Sequence, residues 1–287
     1  MRSVHCSTRR ISWRLDIPQR PQLSWRSTSR LEEPGRFRLA LVEAAVDTLQ
    51  SALAAERSGA GRVELCASLH DGGTTPSAGL IAATTQQVGI PVFVLIRPRG
   101  GAFTYSDSEI DVMRRDIELA RQQGAQGIVT GALDEDGGID VATTRELVAA
   151  ATGLPVTFHR AFDYTGNLSE GLEQLIDAGV SRVLTSGGAA TALEGADAIA
   201  RLVDQGRGRI AVMAGGGIRE HNVREVIGRT GVNEVHARIS SVVRDATRVT
   251  GSDVRLRTAF PDDEAAWEEL DEARMLSLVD VATDTSS

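Results

Sequence analysis

Eight times between Arg38 and Arg238 the sequence returns to one unit: a short apolar run rich in Val, Ile and Leu, a turn, then a segment of helical periodicity. The repetition constrains the fold more than any other feature. The apolar runs occupy residues 39–44, 63–66, 92–96, 127–132, 155–159, 182–185, 210–214 and 234–237. They are near-continuous rather than alternating, as in strands of a parallel sheet covered on both faces. Helical patterns lie between them, over residues 49–58, 77–88, 107–123, 143–151, 169–178, 192–205 and 220–229. Asp47, Ser77 and Ser169 stand where an N-cap acceptor belongs, and Gly59, Gly124, Gly179 and Gly206 where a left-handed residue ends a helix. Pro91 and Pro155 each precede a strand, where a fixed φ does little harm.

Eight strand–helix units in roughly 220–240 residues predict an α/β fold of the (β/α)8 TIM-barrel type: a parallel eight-stranded barrel with outer helices. The alternative is an open doubly wound sheet, which usually carries a glycine fingerprint after its first strand. Here Glu43-Ala44-Ala45-Val46-Asp47 follows instead. After the eighth strand the pattern predicts a loop over residues 239–260 and an acidic helix over 262–279 that closes the ring, capped by Asp262, with Trp267, Leu270 and Leu278 on its inner face. Residues 38–281 read as one barrel domain and 282–287 as a tail. Residues 1–37 carry 8 Arg against 3 acids and no periodicity. They read as a disordered extension or a gene start placed too far upstream; an Arg- and Ser-rich organelle leader is the alternative.

Beyond residue 37 the charge reverses, with 23 Arg against 36 acids. An acidic body argues against nucleic acid as a partner. No apolar run is long enough to span a bilayer, so no membrane role is expected. Two cysteines, Cys6 and Cys66, and no secretory leader fit a reducing cytoplasm. All 31 basic residues are Arg. Without lysine there is no Schiff-base chemistry and no lysine general base.

In such a barrel, function sits where the strands run out into loops. Strand one ends near Glu43 and strand two in Glu64 and Cys66. Strand three ends in Arg97-Pro98-Arg99-Gly100-Gly101, and strand five in His159-Arg160-Ala161-Phe162-Asp163. Strand six ends in Ser186-Gly187-Gly188, strand seven in Gly215-Gly216-Gly217, and strand eight in His236-Ala237-Arg238. Arg97 and Arg99 read as a clamp for a carboxylate or phosphate, and the glycine runs as backbone N–H donors to the same anion. Arg160, Asp163, Ser186, Gly187, Gly215, Gly216, Gly217 and His236 complete the expected binding set. Strand eight is followed by Arg238-Ile239-Ser240, without the glycine of many phosphate-binding barrels. His159, with Glu64 or Glu43, is the expected acid/base pair. The competing interpretation is that these charges neutralise one another as an ion network. Cys66 and His70 raise a third possibility, a metal site.

The stretches "VELCASLHDGGTTPS", "IPVFVLIRPRGGAFTYSDSE", "LPVTFHRAFD", "RVLTSG", "ALEG" and "VMAGGGI" resemble, in this order, the CutC family, over about Arg38 to Ser241. The resemblance implies a cytoplasmic TIM barrel, often a homo-oligomer (dimer or tetramer), linked to copper homeostasis and copper binding. It implies copper ligands at cysteines on strands one and two. The second is Cys66, with His70 the nearest imidazole; the first falls at Ala44 or Ala45, so the thiol is missing there. Cu(I) favours soft thiolate ligands, and one thiol holds it weakly. Three functions follow: a copper homeostasis protein, an enzyme of unknown reaction acting on a small anionic substrate, and a non-catalytic oligomeric scaffold.

Overall fold

The computed structural model describes residues 40–244 and 265–284. The extension over 1–37, the loop beyond residue 244, Asp262 and the last three residues of the tail lie outside the described residues. Eight strands form the expected closed barrel: β1 (Leu41–Val46), β2 (Arg62–Leu65), β3 (Val92–Leu95), β4 (Gly127–Thr130), β5 (Val156–Phe158), β6 (Arg182–Thr185), β7 (Ala211–Gly215) and β8 (Glu234–Ala237). Each pairs in parallel with the next, and β8 returns to β1 with Glu43 opposite His236. On its other side Glu43 faces Arg62, and Ala45 faces Glu64.

Alternation along each strand divides the barrel into two environments. On β2, Val63 and Leu65 join the main core between strands and helices, whereas Cys66 belongs to a small interior cluster with Phe93, Leu95 and Val129. The main core takes the β-branched residues Val92, Ile128, Val156, Val183 and Val235, all almost fully buried. Burying one such side chain contributes about 1.5–3 kcal/mol.

Between the strands run α1 (Leu49–Arg57), α2 (Ala78–Gln87), α3 (Asp107–Gln122), α4 (Val141–Ala150), α5 (Leu168–Asp177), α6 (Ala196–Gly206) and α7 (Val223–Thr230). Ser77 caps α2 as expected, by accepting from the Leu80 N–H. Thr48, not Asp47, caps α1, and Asn167, not Ser169, caps α5. Thr48 Oγ1 accepts from the Ser51 N–H and Asn167 Oδ1 from the Glu170 N–H, while Ser169 Oγ donates to Gln205.

The expected helix over 262–279 is corrected. Residues Ser240–Arg244 form β9 and Ala266–Leu270 form β10, an antiparallel pair, and the helix α8 starts only at Glu272 and runs to Thr283. Asp271 starts it, its side chain accepting from the Arg274 N–H, while the Leu270 N–H is held by Ser51 Oγ. Trp267 and Leu270 are therefore strand residues. Leu278 is buried as expected, with Met275, and α8 packs against α7, α1 and β1 to complete the ring. Among the described residues no helix is long and apolar enough to cross a membrane.

Candidate functional site

The barrel interior carries charge at two levels. Toward the N-terminal ends of the strands, Arg62 donates to Glu43 and, at 2.6 Å, to Glu234; Arg182 donates to both oxygens of Glu234 at 2.5 and 2.9 Å. Both guanidinium groups lie over the Phe93 ring, at 4.8 and 5.5 Å from its centroid. Gly127 makes room for that ring, since a Cβ there would stand 2.5 Å from it. Two arginines against two carboxylates leave this level electrically closed, as the ion-network interpretation expects.

Above it, His236 joins the closed level to the mouth. Its Nδ1 contacts Glu43 Oε1 at 2.8 Å and its Nε2 faces Glu64 Oε2 at 3.6 Å. The two carboxylates flanking this one imidazole behave oppositely. Burial pushes both up, but the Arg62 charge and the His236 hydrogen bond hold Glu43 down at about 2. Glu64 has no such arginine contact; burial, with the nearby Glu43 charge, drives it up to about 7 against the pull of His236. Burial favours neutral His236, yet the Glu43 hydrogen bond and the two carboxylate charges raise it overall. Glu64 and His236, 3.6 Å apart, therefore both hold a proton more tightly than the free side chains do.

Glu64 and His236 line a cavity of about 460 Å3 at the C-terminal mouth. Four arginines, Arg97, Arg160, Arg219 and Arg238, line it against two carboxylates, Glu64 and Glu268. Ala45, Cys66, Phe103, His159, Gly216 and Gly217 also contribute to its wall.

The structure redistributes the roles expected of these residues. Arg99 does not line the cavity: it pairs with Glu109 at 2.5 Å, donates to the Ala102 and Thr104 carbonyls, and lies over Tyr105. Arg97 does line it, but its terminal nitrogens hold the Asp71, Gly73 and Gly101 carbonyls. The two-arginine clamp is therefore replaced by a loop staple, because backbone carbonyls of the Gly-rich turns claim both forks first. Asp163 is not a ligand group either. Its carboxylate accepts from Thr185 Oγ1, from the Ser186 N–H and Oγ, and from the Gly188 N–H. Gly187 N–H turns to Thr185 Oγ1. The donors of the strand-six loop, Ser186 and Gly187 included, are engaged within the chain. Gly215 ends β7 with Leu184 and the His236 Cβ packed against it, and presents no loop donor.

His159 is corrected from acid/base to neutral. Its Nδ1 accepts from the Ala161 N–H at 3.2 Å, which leaves the ring proton on Nε2. Burial and the Arg97 charge push the imidazole down to about 3. His236, not His159, is the imidazole set between two carboxylates.

Cys66 and His70 are not brought together as ligands. Cys66 is 1% exposed, among Phe93, Leu95 and Val129, and burial with the Glu64 charge pushes its thiol well up. His70 is half exposed beside Asp71. Ala44 and Ala45, both buried, occupy the strand-one position where the second thiol would stand. One protonated thiol does not fit a Cu(I) centre. Among the described residues the cluster of potential metal ligands is instead Glu43, Glu64 and His236, whose ligand atoms lie within 4.8 Å of one another. It offers oxygen and imidazole, not sulfur. Of the three, Glu43 is already held by Arg62.

Several mouth residues escaped the sequence reading. Glu268 comes from the unexpected strand β10 and pairs with Arg238; nothing local marks it. Arg238 carried a usable signal, since it stands two residues after His236 and so points to the same side. Arg62, on the closed level below the mouth, was readable in the same way from Glu64.

Comparison with known proteins gives a consistent answer. The model of the CutC family matches residues 40–241. The mouse "Copper homeostasis protein cutC homolog" is 46% identical over 244 residues, covering 85% of this chain and 90% of that protein. Its human counterpart is 46% identical, over 84% of this chain and 89% of that protein. Among solved structures, CutC from Streptococcus agalactiae superposes with a TM-score of 0.66 at 35% identity, covering 69% of this chain and 97% of that one.

Proposed function

The chain belongs to the CutC family, and we propose that it serves the copper homeostasis for which its relatives are named by proton-transfer chemistry on a small anionic molecule in the barrel mouth, not by holding copper on Cys66. One observation carries the reading. His236 stands between a carboxylate held by Arg62 and a carboxylate that no arginine holds among the described residues, at the wall of a cavity where arginines outnumber acids. Glu43 fixes the imidazole ring and favours its charged form. Glu64 and His236 exchange the proton with the ligand. His159, a neutral N–H donor, orients rather than titrates.

The copper side of the reading follows from the donor set. A thiol held protonated in an apolar cluster gives a soft metal no purchase, so Cys66→Ala leaves copper affinity unchanged in a Cu(I) titration. The enzymatic side is tested in D2O with a panel of three- to six-carbon hydroxy-carbonyl compounds carrying a phosphate or a carboxylate, by following C–H exchange by proton NMR. The reading expects exchange in at least one bound compound and its loss, by about 100- to 10,000-fold, in Glu64→Gln. Binding without exchange would leave a scaffold instead, and wild-type exchange by Glu64→Gln would remove Glu64 from the chemistry.

A further inference from the structure

The mouth holds two glycine-rich loops of similar sequence, and only one is engaged. The loop after β6 closes its amides on the Asp163 carboxylate, which receives the Ser186 N–H at 2.9 and 3.0 Å and the Gly188 N–H at 3.1 Å. An anion is built into that nest by the chain itself. The loop after β7 has no such partner. The N–H groups of Gly217 and Ile218 meet no acceptor among the described residues, and both residues line the mouth cavity beside Gly216. Gly216 and Gly217 hold φ values of +105° and +70°, which an L side chain resists.

A guanidinium stands against this second loop. Arg160 donates Nε to Asp163 at 2.8 Å and Nη2 to Ser186 Oγ at 2.8 Å. Its Nη1 has no partner among the described residues and lies 3.3 Å from where a Cβ on Gly216 would be. The closed loop therefore aims Arg160 at the open one. Asp163 does this as a positioning residue: its carboxylate satisfies the strand-six amides and pins the arginine in one gesture.

We propose that the loop after β7, with Arg160, is the seat of a phosphate group, so that the small anion of the mouth is a phosphate monoester. The geometry favours phosphate over carboxylate. Two amides from consecutive residues and one guanidinium nitrogen offer three donors, one for each terminal oxygen of a phosphate monoester and more than the two oxygens of a carboxylate need. The position, after the seventh strand of a (β/α)8 barrel, is also one at which such barrels hold phosphate. The inference rests on the proposed reading for its choice of cavity, and it specifies which anion that cavity takes; the seat itself involves neither Glu64 nor His236.

The test is titration of the full chain with inorganic phosphate by isothermal calorimetry, with acetate as the competing anion. Saturable phosphate binding that acetate does not displace at equal concentration is expected. Arg160→Gln should weaken phosphate binding at least tenfold, Arg160→Lys less, and Gly216→Ala should abolish it by filling the seat. Because Gly216→Ala strains the backbone, Arg160→Gln decides if that variant does not fold. Glu64→Gln should bind phosphate within twofold of wild type; its loss of C–H exchange then reports on the proton-transfer reading separately. No phosphate binding, equal binding of acetate, or full binding by Arg160→Gln would overturn the proposal.

Discussion

The barrel interior contains two charged levels only a few residues apart along the same strands, and they solve the problem of buried charge differently. At the lower level each charge meets its opposite: Arg62 and Arg182 lie between Glu43 and Glu234, with Phe93 under both guanidinium groups. At the upper level Glu64 lacks an arginine within ion-pair reach among the described residues and faces only His236. The two levels share strands β2 and β8, which carry Arg62 and Glu234 below and Glu64 and His236 above. The difference teaches that charge in a barrel interior is not one signal: where it is matched it is architecture, and where it is left unmatched beside a cavity it marks a candidate site.

The largest expected effect breaks the lower level. Glu43→Gln leaves Arg62 buried without its main partner and should cost about 3–5 kcal/mol of stability in chemical denaturation. A loss below about 1 kcal/mol would mean that the lower level is not closed in the sense described.

The next effect separates the two levels by pH. Glu43, held at about 2 against an ordinary 4.5, contributes stability that is complete above 4.5 and lost as pH falls toward about 2. Glu64 has the opposite sign. Raised from 4.5 to about 7, it keeps a proton in the fold that the unfolded chain has released, so stability falls as pH rises across that interval. His236, raised above 6.5, adds in the same direction, its contribution complete below 6.5 and lost as pH climbs through its folded value. Wild type should thus lose on the order of 2 kcal/mol between pH 5 and pH 8, and Glu64→Gln should flatten that limb while leaving the acid limb intact. Urea midpoints across pH measure both limbs.

The smallest effect checks that Arg99 belongs to neither level. Its pairing with Glu109 is solvent-exposed, so Arg99→Ala should change stability by about 0–1 kcal/mol and leave anion binding untouched.

The barrel was legible because eight repeats of one unit admit few closed solutions, and each repeat carries its own boundaries. The C-terminal segment was not: Trp267, Glu268 and Glu269 read as a helix face by composition, whereas their partner strand β9 lies some twenty residues upstream and sets them as a strand. The site was legible as a location but not as a division of labour. That Glu64, His159, Arg97 and His236 lie toward one end follows from strand ends, whereas Glu43 sits one level below them. Which of them titrates does not, since it depends on Arg62 reaching Glu43 and not Glu64. Arg99 and Asp163 misled for a related reason: an arginine or a carboxylate beside glycine-rich turns finds backbone partners before it finds a ligand, and only the folded geometry says so.

The central claim is that the mouth keeps one carboxyl poised near neutrality while its neighbour is locked. The most direct measurement is a carbon-13 NMR titration of the glutamate carboxyl groups, with Glu64 and Glu43 assigned by their Gln variants. The account predicts that the Glu64 signal titrates with an apparent midpoint near 7, coupled to His236, while Glu43 stays ionised down to about 2. A Glu64 midpoint at the ordinary 4.5, or two glutamates titrating together, would contradict it.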